Sequence, residues 1–331
     1  MPVTGAILPA DAGGPGSPAS DLPHPPRVIA VGGGKGGVGK SFLVANLAAV
    51  LARDGFRVVA VDADLEGANL HTCLSVPAPP RSLADFVAGR EPDPVKLPVE
   101  TPIPGLSLIA GTHAHLELAH PEGARRTALL RGLRRIPADF LLVDLGAGNE
   151  PVFLDYFLLA DEGLVVLAPE PTSVENAYAF LRAAFYRRLR LALRSHGVQE
   201  LVAEAMDQRN ERGIRTPLEL LREVEARDSR EGARFAETMR AFRPQIVVNQ
   251  VRSARDVKLG YSVRSVCRRY FGVDADYLGY VSEDPAVRES LRARRPVVEI
   301  HPRSDAAIYL RRIARKLSRS AGGGPAVGGS R

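Results

Sequence analysis

The sequence predicts an α/β fold in which a mostly parallel β-sheet is covered by helices on both faces. Short apolar runs rich in β-branched residues alternate with stretches of helical spacing. These runs begin at Arg27, Arg57, Leu106, Asp139, Gly163, Gln245 and Asp276. Runs that are apolar along their whole length are typical of strands buried on both faces. Because ligands of such sheets bind at the carboxyl ends of the strands, we expect a binding site at that edge.

Composition and length predict one ordered domain between two tails. The chain has 331 residues, is 45% hydrophobic and carries a formal net charge of +6, which suits a domain with a sizeable core. Stretches rich in Pro, Gly and Ala predict disordered tails at residues 1–26 and 320–331, which leaves an ordered domain at residues 27–319. No apolar run approaches the roughly 20 residues that cross a bilayer. The N-terminal stretch lacks the basic start of a secretory signal, so we expect a cytoplasmic protein.

Neither the cysteines nor the histidines indicate a metal site. Cys73 and Cys267 lie far apart, which supports neither a disulfide framework nor a zinc site. His113, His115 and His120 lie close together, but no cysteine lies beside them, and imidazoles in loops commonly form only local hydrogen bonds. Local hydrogen bonding is the alternative interpretation of the three histidines, and we favour it over a metal site.

A glycine-rich loop follows the first apolar run. Gly34 to Ser41 reads GKGGVGKS and precedes the amphipathic stretch FLVANLAAVLA, so it matches G-x-x-x-x-G-K-[ST] in a strand, loop and helix context. In such a loop, backbone N–H groups and the helix N-terminus surround phosphate, Lys40 adds a positive charge and Ser41 ligates Mg²⁺. A glycine-rich turn without a ligand is the alternative. The predicted nucleotide-binding residues of the loop are Gly34, Lys35, Gly36, Gly37, Val38, Gly39, Lys40, Ser41 and Phe42.

Carboxylates follow two further apolar runs. Asp62 and Asp64 come at the end of RVVAV, and Asp144 ends DFLLV. A strand that delivers a carboxylate beside a phosphate loop holds Mg²⁺ through its water shell. The alternative for each aspartate alone is a helix N-cap.

Two helical regions complete the pattern. Helical spacing of apolar residues between about 203 and 243 predicts two or three surface helices inserted before the strand at Gln245. Near the C-terminus, Leu310, Ile313 and Leu317 share one face of a helix rich in arginine. That face predicts either a basic helix lying on a membrane or the last core helix, and the sequence favours neither.

The motifs together resemble the MinD/ParA family of P-loop ATPases, which have a SIMIBI-type fold and a deviant Walker A loop. The resemblance covers nearly all of residues 27–319. Within the family, the chain is most similar to the FlhG/FleN branch, whose members set flagellar number or position. It is carried by KGGVGKS (35–41), VDADLEGANL (61–70), VDLGAG (143–148), PEPTSVENAY (169–178), VVNQVRS (247–253) and YLGYVSEDPAVRESLRARRPVV (277–298).

The resemblance implies catalytic roles for three residues. Lys35, at the start of the loop, would reach across a dimer interface to the phosphates of the other subunit, as an arginine finger does in trans. Lys40 would contact the β- and γ-phosphates of its own subunit. Asp64 would orient or activate the attacking water.

The resemblance implies binding roles for others. Ser41, Asp62 and Asp144 would hold Mg²⁺ or its water shell, while Gly146 and Gly148 would let the switch II segment respond to the γ-phosphate. Asn249 would contact adenine, with a loop-capping role as the alternative.

The implied function is a slow, Mg²⁺-dependent and partner-stimulated ATPase. ATP would join two copies in a sandwich dimer that positions or counts a flagellum or other polar machinery. Its partner would be FlhF-like, MinE-like or ParB-like. In the ATP state, residues 306–319 would bind an anionic surface on the inner face of the cell membrane. The alternative is a DNA-partition ATPase that binds DNA through Arg187, Arg188, Arg190 and Arg194.

Overall fold

One sheet organises the computed structural model, which describes residues 24–65, 67–111, 123–206, 213–214 and 216–319. The strands are β1 (Arg27–Gly32), β2 (Val58–Asp62), β3 (Val99–Glu100), β4 (Leu106–Ile109), β5 (Phe140–Asp144), β6 (Glu162–Leu167), β7 (Gln245–Val251) and β8 (Asp276–Ser282). In these described segments the strand order is β3-β4-β2-β5-β1-β6-β7-β8. Every neighbouring pair is parallel except β3 with β4. The predicted mostly parallel α/β sheet is confirmed.

Helices connect the strands. They are α1 (Lys40–Arg53), α2 (Leu70–Cys73), α3 (Leu83–Val87), α4 (Gly123–Leu133), α5 (Pro151–Leu159), α6 (Pro171–Ala192), α7 (His196–Met206), α8 (Pro217–Arg227), α9 (Ser229–Ala241), α10 (Ala254–Val266), α11 (Pro285–Ala293), α12 (Val297–Ile300) and α13 (Asp305–Arg319). A 3₁₀ turn covers Pro94–Lys96, and a π-helical turn at Cys267–Phe271 extends α10.

All seven predicted strands are present. The two-residue strand β3 was not predicted.

Apolar side chains cover both faces of the sheet. On one face, Leu43 and Leu47 of α1 pack with Val297 of α12 in a core cluster that includes the apolar side of α13. On the other face, Phe180 of α6 and Phe235 of α9 belong to a second cluster that also holds α5. The two layers fix the carboxyl ends of the strands, where the predicted site lies.

The last helix, α13, is a core helix. Leu310, Ile313 and Leu317 are at most 1% exposed, because α13 packs on β8 and α1. The alternative in which residues 306–319 grip a membrane through this apolar face is therefore wrong, since the face is already covered by the protein. Among the described helices, none combines the length and apolar character that a bilayer crossing needs.

Among the described residues, three helices lie between α6 and β7. The predicted insertion is confirmed by α8 and α9 and by the end of α7. A capping box at Thr216 and the Asp228 side chain start α8 and α9, which satisfies N–H groups that a helix leaves free at its first turn. The predicted tails, apart from residues 24–26, and the three clustered histidines lie outside the described residues.

Candidate nucleotide site

The glycine-rich loop joins β1 to α1 at the carboxyl edge of the sheet. Gly37 and Gly39 have φ angles of 77° and 93°, a left-handed conformation that favours glycine. Gly34 is required for a different reason, since a Cβ there would lie 2.1 Å from the backbone oxygen of Asn176 in α6. The loop is thus wedged between the sheet and α6, and α1 begins immediately after it at Lys40.

The two strand-end aspartates lie side by side on adjacent strands. Asp62 and Asp144 are register partners on β2 and β5, and they are 0% and 2% exposed. Asp62 accepts hydrogen bonds from the backbone N–H groups of Asp64, at 3.2 Å, and Leu70, at 3.0 Å. Asp144 Oδ1 is buried and has no hydrogen-bond partner among the described residues. The site therefore holds an acceptor oxygen that the protein does not itself satisfy.

Burial and mutual repulsion perturb the charges of this cluster. Burial raises the pKa of Asp144 to about 7, against a lowering by a hydrogen bond with Ser41 and by the charge of Lys40. Burial and then the nearby charge of Asp144 raise the pKa of Asp62 well above its usual range. Burial lowers the pKa of Lys40, which Asp144 and Asp64 partly oppose. Charged groups that are this buried and this incompletely paired are typical of a ligand site.

The donor set fits Mg²⁺. The Ser41 hydroxyl and the Asp144 carboxylate, with its unpartnered oxygen, are the hard oxygen donors that Mg²⁺ takes. Within the described residues, no group of three or more carboxylate, histidine or cysteine side chains is arranged to hold an ion by itself. Such a sparse set suits Mg²⁺, which keeps several waters and completes its shell with substrate phosphates.

Asp64 and the two glycines of the predicted switch II segment lie near these aspartates in the chain. Asp64 Oδ1 accepts a hydrogen bond from the Gly67 N–H at 2.8 Å, and its charge acts on Lys40. Gly146 is closely packed, because a Cβ there would lie 2.2 Å from the ring of Phe153. Gly148 has open space around it and a φ of 100°, so a side chain there would be strained by the backbone alone.

Lys35 points away from the carboxylate cluster. Its Nζ donates to Glu170 Oε2 at 2.6 Å and to Thr172 Oγ1 at 3.0 Å. Both partners lie at the start of α6, more than 130 positions along the chain. The ion pair lowers the pKa of Glu170. Glu170 and Thr172 belong to the motif PEPTSVENAY, but the sequence alone predicted no role for them.

Asn249 contacts the loop itself. Its Nδ2 donates to the backbone oxygen of Val38 at 2.8 Å, and the side chain is buried. The neighbouring Gln250, which sequence analysis also missed, donates from Nε2 to the Gly37 oxygen at 3.3 Å. The described contacts are those of the alternative loop-capping role, and contact with adenine stays a prediction.

Parallel strands that bring a glycine loop, a lysine and buried aspartates to one edge define a P-loop nucleotide-binding protein. A sequence model of the CobQ/CobB/MinD/ParA nucleotide binding domain matches residues 29–297. The chain therefore belongs to this family and is a MinD/ParA-type ATPase.

Individual relatives agree with this assignment. The chain is 30% identical over 298 residues to the antiactivator FleN of Pseudomonas aeruginosa, covering 89% of this chain and 87% of that protein. It is 31% identical to the flagellum site-determining protein YlxH of Helicobacter pylori over 47% of this chain and 53% of the relative. The structure of the septum site-determining protein MinD from Pyrococcus horikoshii, complexed with Mg-ADP, has the same fold. Its TM-score is 0.62 at 21% identity, over 89% of this chain and 97% of that chain.

Proposed function

We propose that the protein is an ATP-driven molecular switch in which ATP joins two copies in a sandwich dimer and hydrolysis separates them. The observation that carries this proposal is the position of Lys35. Its side chain is 36% exposed and paired with Glu170, whereas Lys40 is buried near Asp144 and Asp64. The loop thus has one lysine for its own site and another at the surface, where a second copy is within its reach.

The chemistry links assembly to nucleotide state. The negative charge of the phosphates attracts a cation that a second subunit supplies. Lys35 is such a cation once it leaves Glu170 and Thr172. ADP lacks the γ-phosphate and attracts it less, so hydrolysis weakens the dimer.

Hydrolysis would use the residues at the strand ends. Ser41, Asp62 and Asp144 would hold Mg²⁺, which supplies compensation of phosphate charge when bound. Lys40 would stabilise the β- and γ-phosphates. Asp64 lies on the loop after β2, where its carboxylate would orient the attacking water. A single carboxylate at the position of the attacking water would suit a slow reaction that a partner stimulates.

The proposed cellular role is to set the position or number of a flagellum or other polar machinery. The likeness to FleN and YlxH supports it. The protein would act in the cytoplasm, with peripheral attachment to the inner face of the cell membrane in the ATP state. Because the apolar face of α13 is covered, this attachment would need another surface or a partner protein of the FlhF-like, MinE-like or ParB-like kind.

Two substitutions test the switch at its site. Lys40→Ala should weaken ATP binding at least about 100-fold, because it removes the charge that faces the phosphates. Asp64→Ala should bind ATP normally and lose turnover by a similar factor. Calorimetry and phosphate release measure the two effects.

The control is Asp274→Ala, which changes an exposed aspartate just before β8, at the edge of the sheet opposite the site, and should leave both quantities unchanged. Normal turnover by the Asp64→Ala protein would remove Asp64 from the reaction. Normal ATP binding by Lys40→Ala would contradict the site itself.

A second candidate function is binding of DNA by the ATP dimer. Two of the four arginines that the sequence suggested for DNA binding already have partners within the protein. Arg187 pairs with Asp155, and Arg188 lies over the ring of Phe242. The outer face of α10 and its π-helical extension suits DNA better. Its exposed cations that make no ion pair with any described residue are Arg255, Lys258, Arg264 and Arg269.

DNA binding through α10 should depend steeply on salt. Lys258→Glu combined with Arg264→Glu should abolish the anisotropy change of a labelled duplex, whereas Arg222→Glu with Arg227→Glu on α8 should not. If the ATP-bound protein ignores DNA at low salt, this candidate fails.

A further inference from the structure

We infer that Asn249 and Gln250 are positioning residues that hold the phosphate loop in its anion-binding shape through two backbone carbonyls. This inference rests on the proposed nucleotide site and assigns these residues a role other than contact with adenine. Asn249 Nδ2 lies 2.8 Å from the Val38 oxygen, and Gln250 Nε2 lies 3.3 Å from the Gly37 oxygen. Two consecutive side chains therefore bind two consecutive carbonyls of the loop.

Such a paired contact requires an irregular strand. Successive side chains of a β-strand point to opposite faces of the sheet, so a regular β7 would send only one of the two towards the loop. Gln250 instead has a φ of 59°, which residues other than glycine seldom adopt. The β7–β8 register shifts between Val248 and Val251. This irregularity turns the Gln250 side chain to the same target as Asn249.

Holding a carbonyl also orients the next N–H group. The peptide unit is planar and trans, so its C=O and N–H point in opposite directions. When the Gly37 and Val38 oxygens are held towards β7, the N–H groups of Val38 and Gly39 are directed away from it. Concave arrays of such N–H groups are what bind phosphate in loops of this kind. The two amides thus prepare the loop before a ligand arrives.

Asn249 packs so closely against Gly39 that no side chain fits at position 39. A Cβ on Gly39 would lie 2.2 Å from Asn249 Nδ2, so a side chain there would displace the amide. Asn249 is only 5% exposed, which leaves little of its surface to offer a base. The burial and the contacts both favour support of the loop over recognition of adenine.

The test compares ATP with inorganic tripolyphosphate, which has the phosphates and lacks the base. Titration calorimetry in Mg²⁺ buffer is carried out on the full chain and on Asn249→Ala, Asn249→Asp and Gln250→Ala. We expect both Asn249 variants to weaken the two ligands by the same factor, about tenfold, and Gln250→Ala to weaken both about threefold. Asn249→Asp should not rescue binding, because a carboxylate cannot donate to the Val38 oxygen.

The control is Gln245→Ala, which removes an amide contact to Glu162 at the other end of β7 and should change neither affinity by more than about twofold. If an Asn249 variant fails to fold in a thermal melt, Gln250→Ala carries the test, because Gln250 is only half-buried. Weakening of ATP alone would assign Asn249 to the base and overturn the inference. Unchanged affinities, or an equal loss in Gln245→Ala, would overturn it as well. A wild-type chain that binds neither ligand would contradict the proposed function itself.

Discussion

The carboxyl edge of the sheet and the last helix both place charged groups against the core, with opposite outcomes. In α13 the apolar face is fully covered, and Lys316 donates from Nζ to the Leu278 oxygen at 2.5 Å. At the edge, Asp62 and Asp144 are neighbours on adjacent strands, and one oxygen of Asp144 has no partner among the described residues. The buried groups of the helix are satisfied within the protein, whereas at the edge a buried oxygen is left for a ligand to satisfy.

This difference separates residues selected for stability from residues selected for function. A buried charge without full pairing lowers stability, and proteins retain such charges where a ligand needs them. Substitutions in the two regions should therefore change stability in opposite directions.

The largest expected effect is at Leu310. Leu310→Ala should lower the free energy of unfolding by about 3 kcal/mol, because the Leu310 side chain is 0% exposed and its truncation leaves a cavity in the core. Chemical denaturation measures the loss, and ATP affinity should not change. Arg315→Ala, an exposed position on the same helix, should stay within about 0.5 kcal/mol of wild type. A small loss at Leu310 would mean that α13 does not pack as described.

Asp144→Asn should do the reverse in metal-free and nucleotide-free buffer. Burial raises the pKa of Asp144 to about 7 from the usual 3.8, so ionisation costs stability as the pH rises through that interval. The amide removes this cost. We expect a gain of roughly 1 to 2 kcal/mol at pH 8 and a smaller gain near pH 5.

The matched control is Asp155→Asn. Asp155 pairs with Arg126 and Arg187, so its neutral replacement leaves two arginines without their partner and should destabilise the protein. Thermal melts at both pH values give the comparison. A stability loss in the Asp144→Asn protein at pH 8 would show that the cluster is compensated in a way the geometry does not indicate.

The smallest expected effect is at Glu170. Glu170→Gln removes the charge that holds Lys35 in its own chain, which should strengthen ATP-dependent dimerisation about two- to threefold in the Asp64→Ala background. Light scattering across a concentration series measures it. Glu175→Gln, an exposed change one turn further along α6, should have no effect. Weaker dimerisation in Glu170→Gln would instead place Glu170 in the interface.

Local patterns were enough to predict the sheet and most of the site. Apolar runs located seven strands, and the loop motif with Asp62 and Asp144 located the edge. The strand β3 was not predicted, because a strand of two residues is too short to show a periodic pattern. The α13 alternatives stayed open because an apolar stripe among arginines looks alike whether it faces a sheet or a membrane.

Long-range contacts were beyond the sequence. The pairing of Lys35 with Glu170 joins positions 135 apart, and no spacing rule connects them. Gln250 gave no signal because its left-handed backbone would be expected of glycine, asparagine or aspartate. Both features depend on how the completed sheet places its loops, which only the tertiary structure reveals.

The most direct test of the account is the molar mass of the Asp64→Ala protein by light scattering in Mg-ATP and in Mg-ADP. We expect a dimer in ATP, a monomer in ADP, and a monomer in both nucleotides when Lys35→Ala is added. A mass that does not depend on the nucleotide, or a dimer that survives the loss of Lys35, would contradict the claim that a second copy completes the site through this lysine.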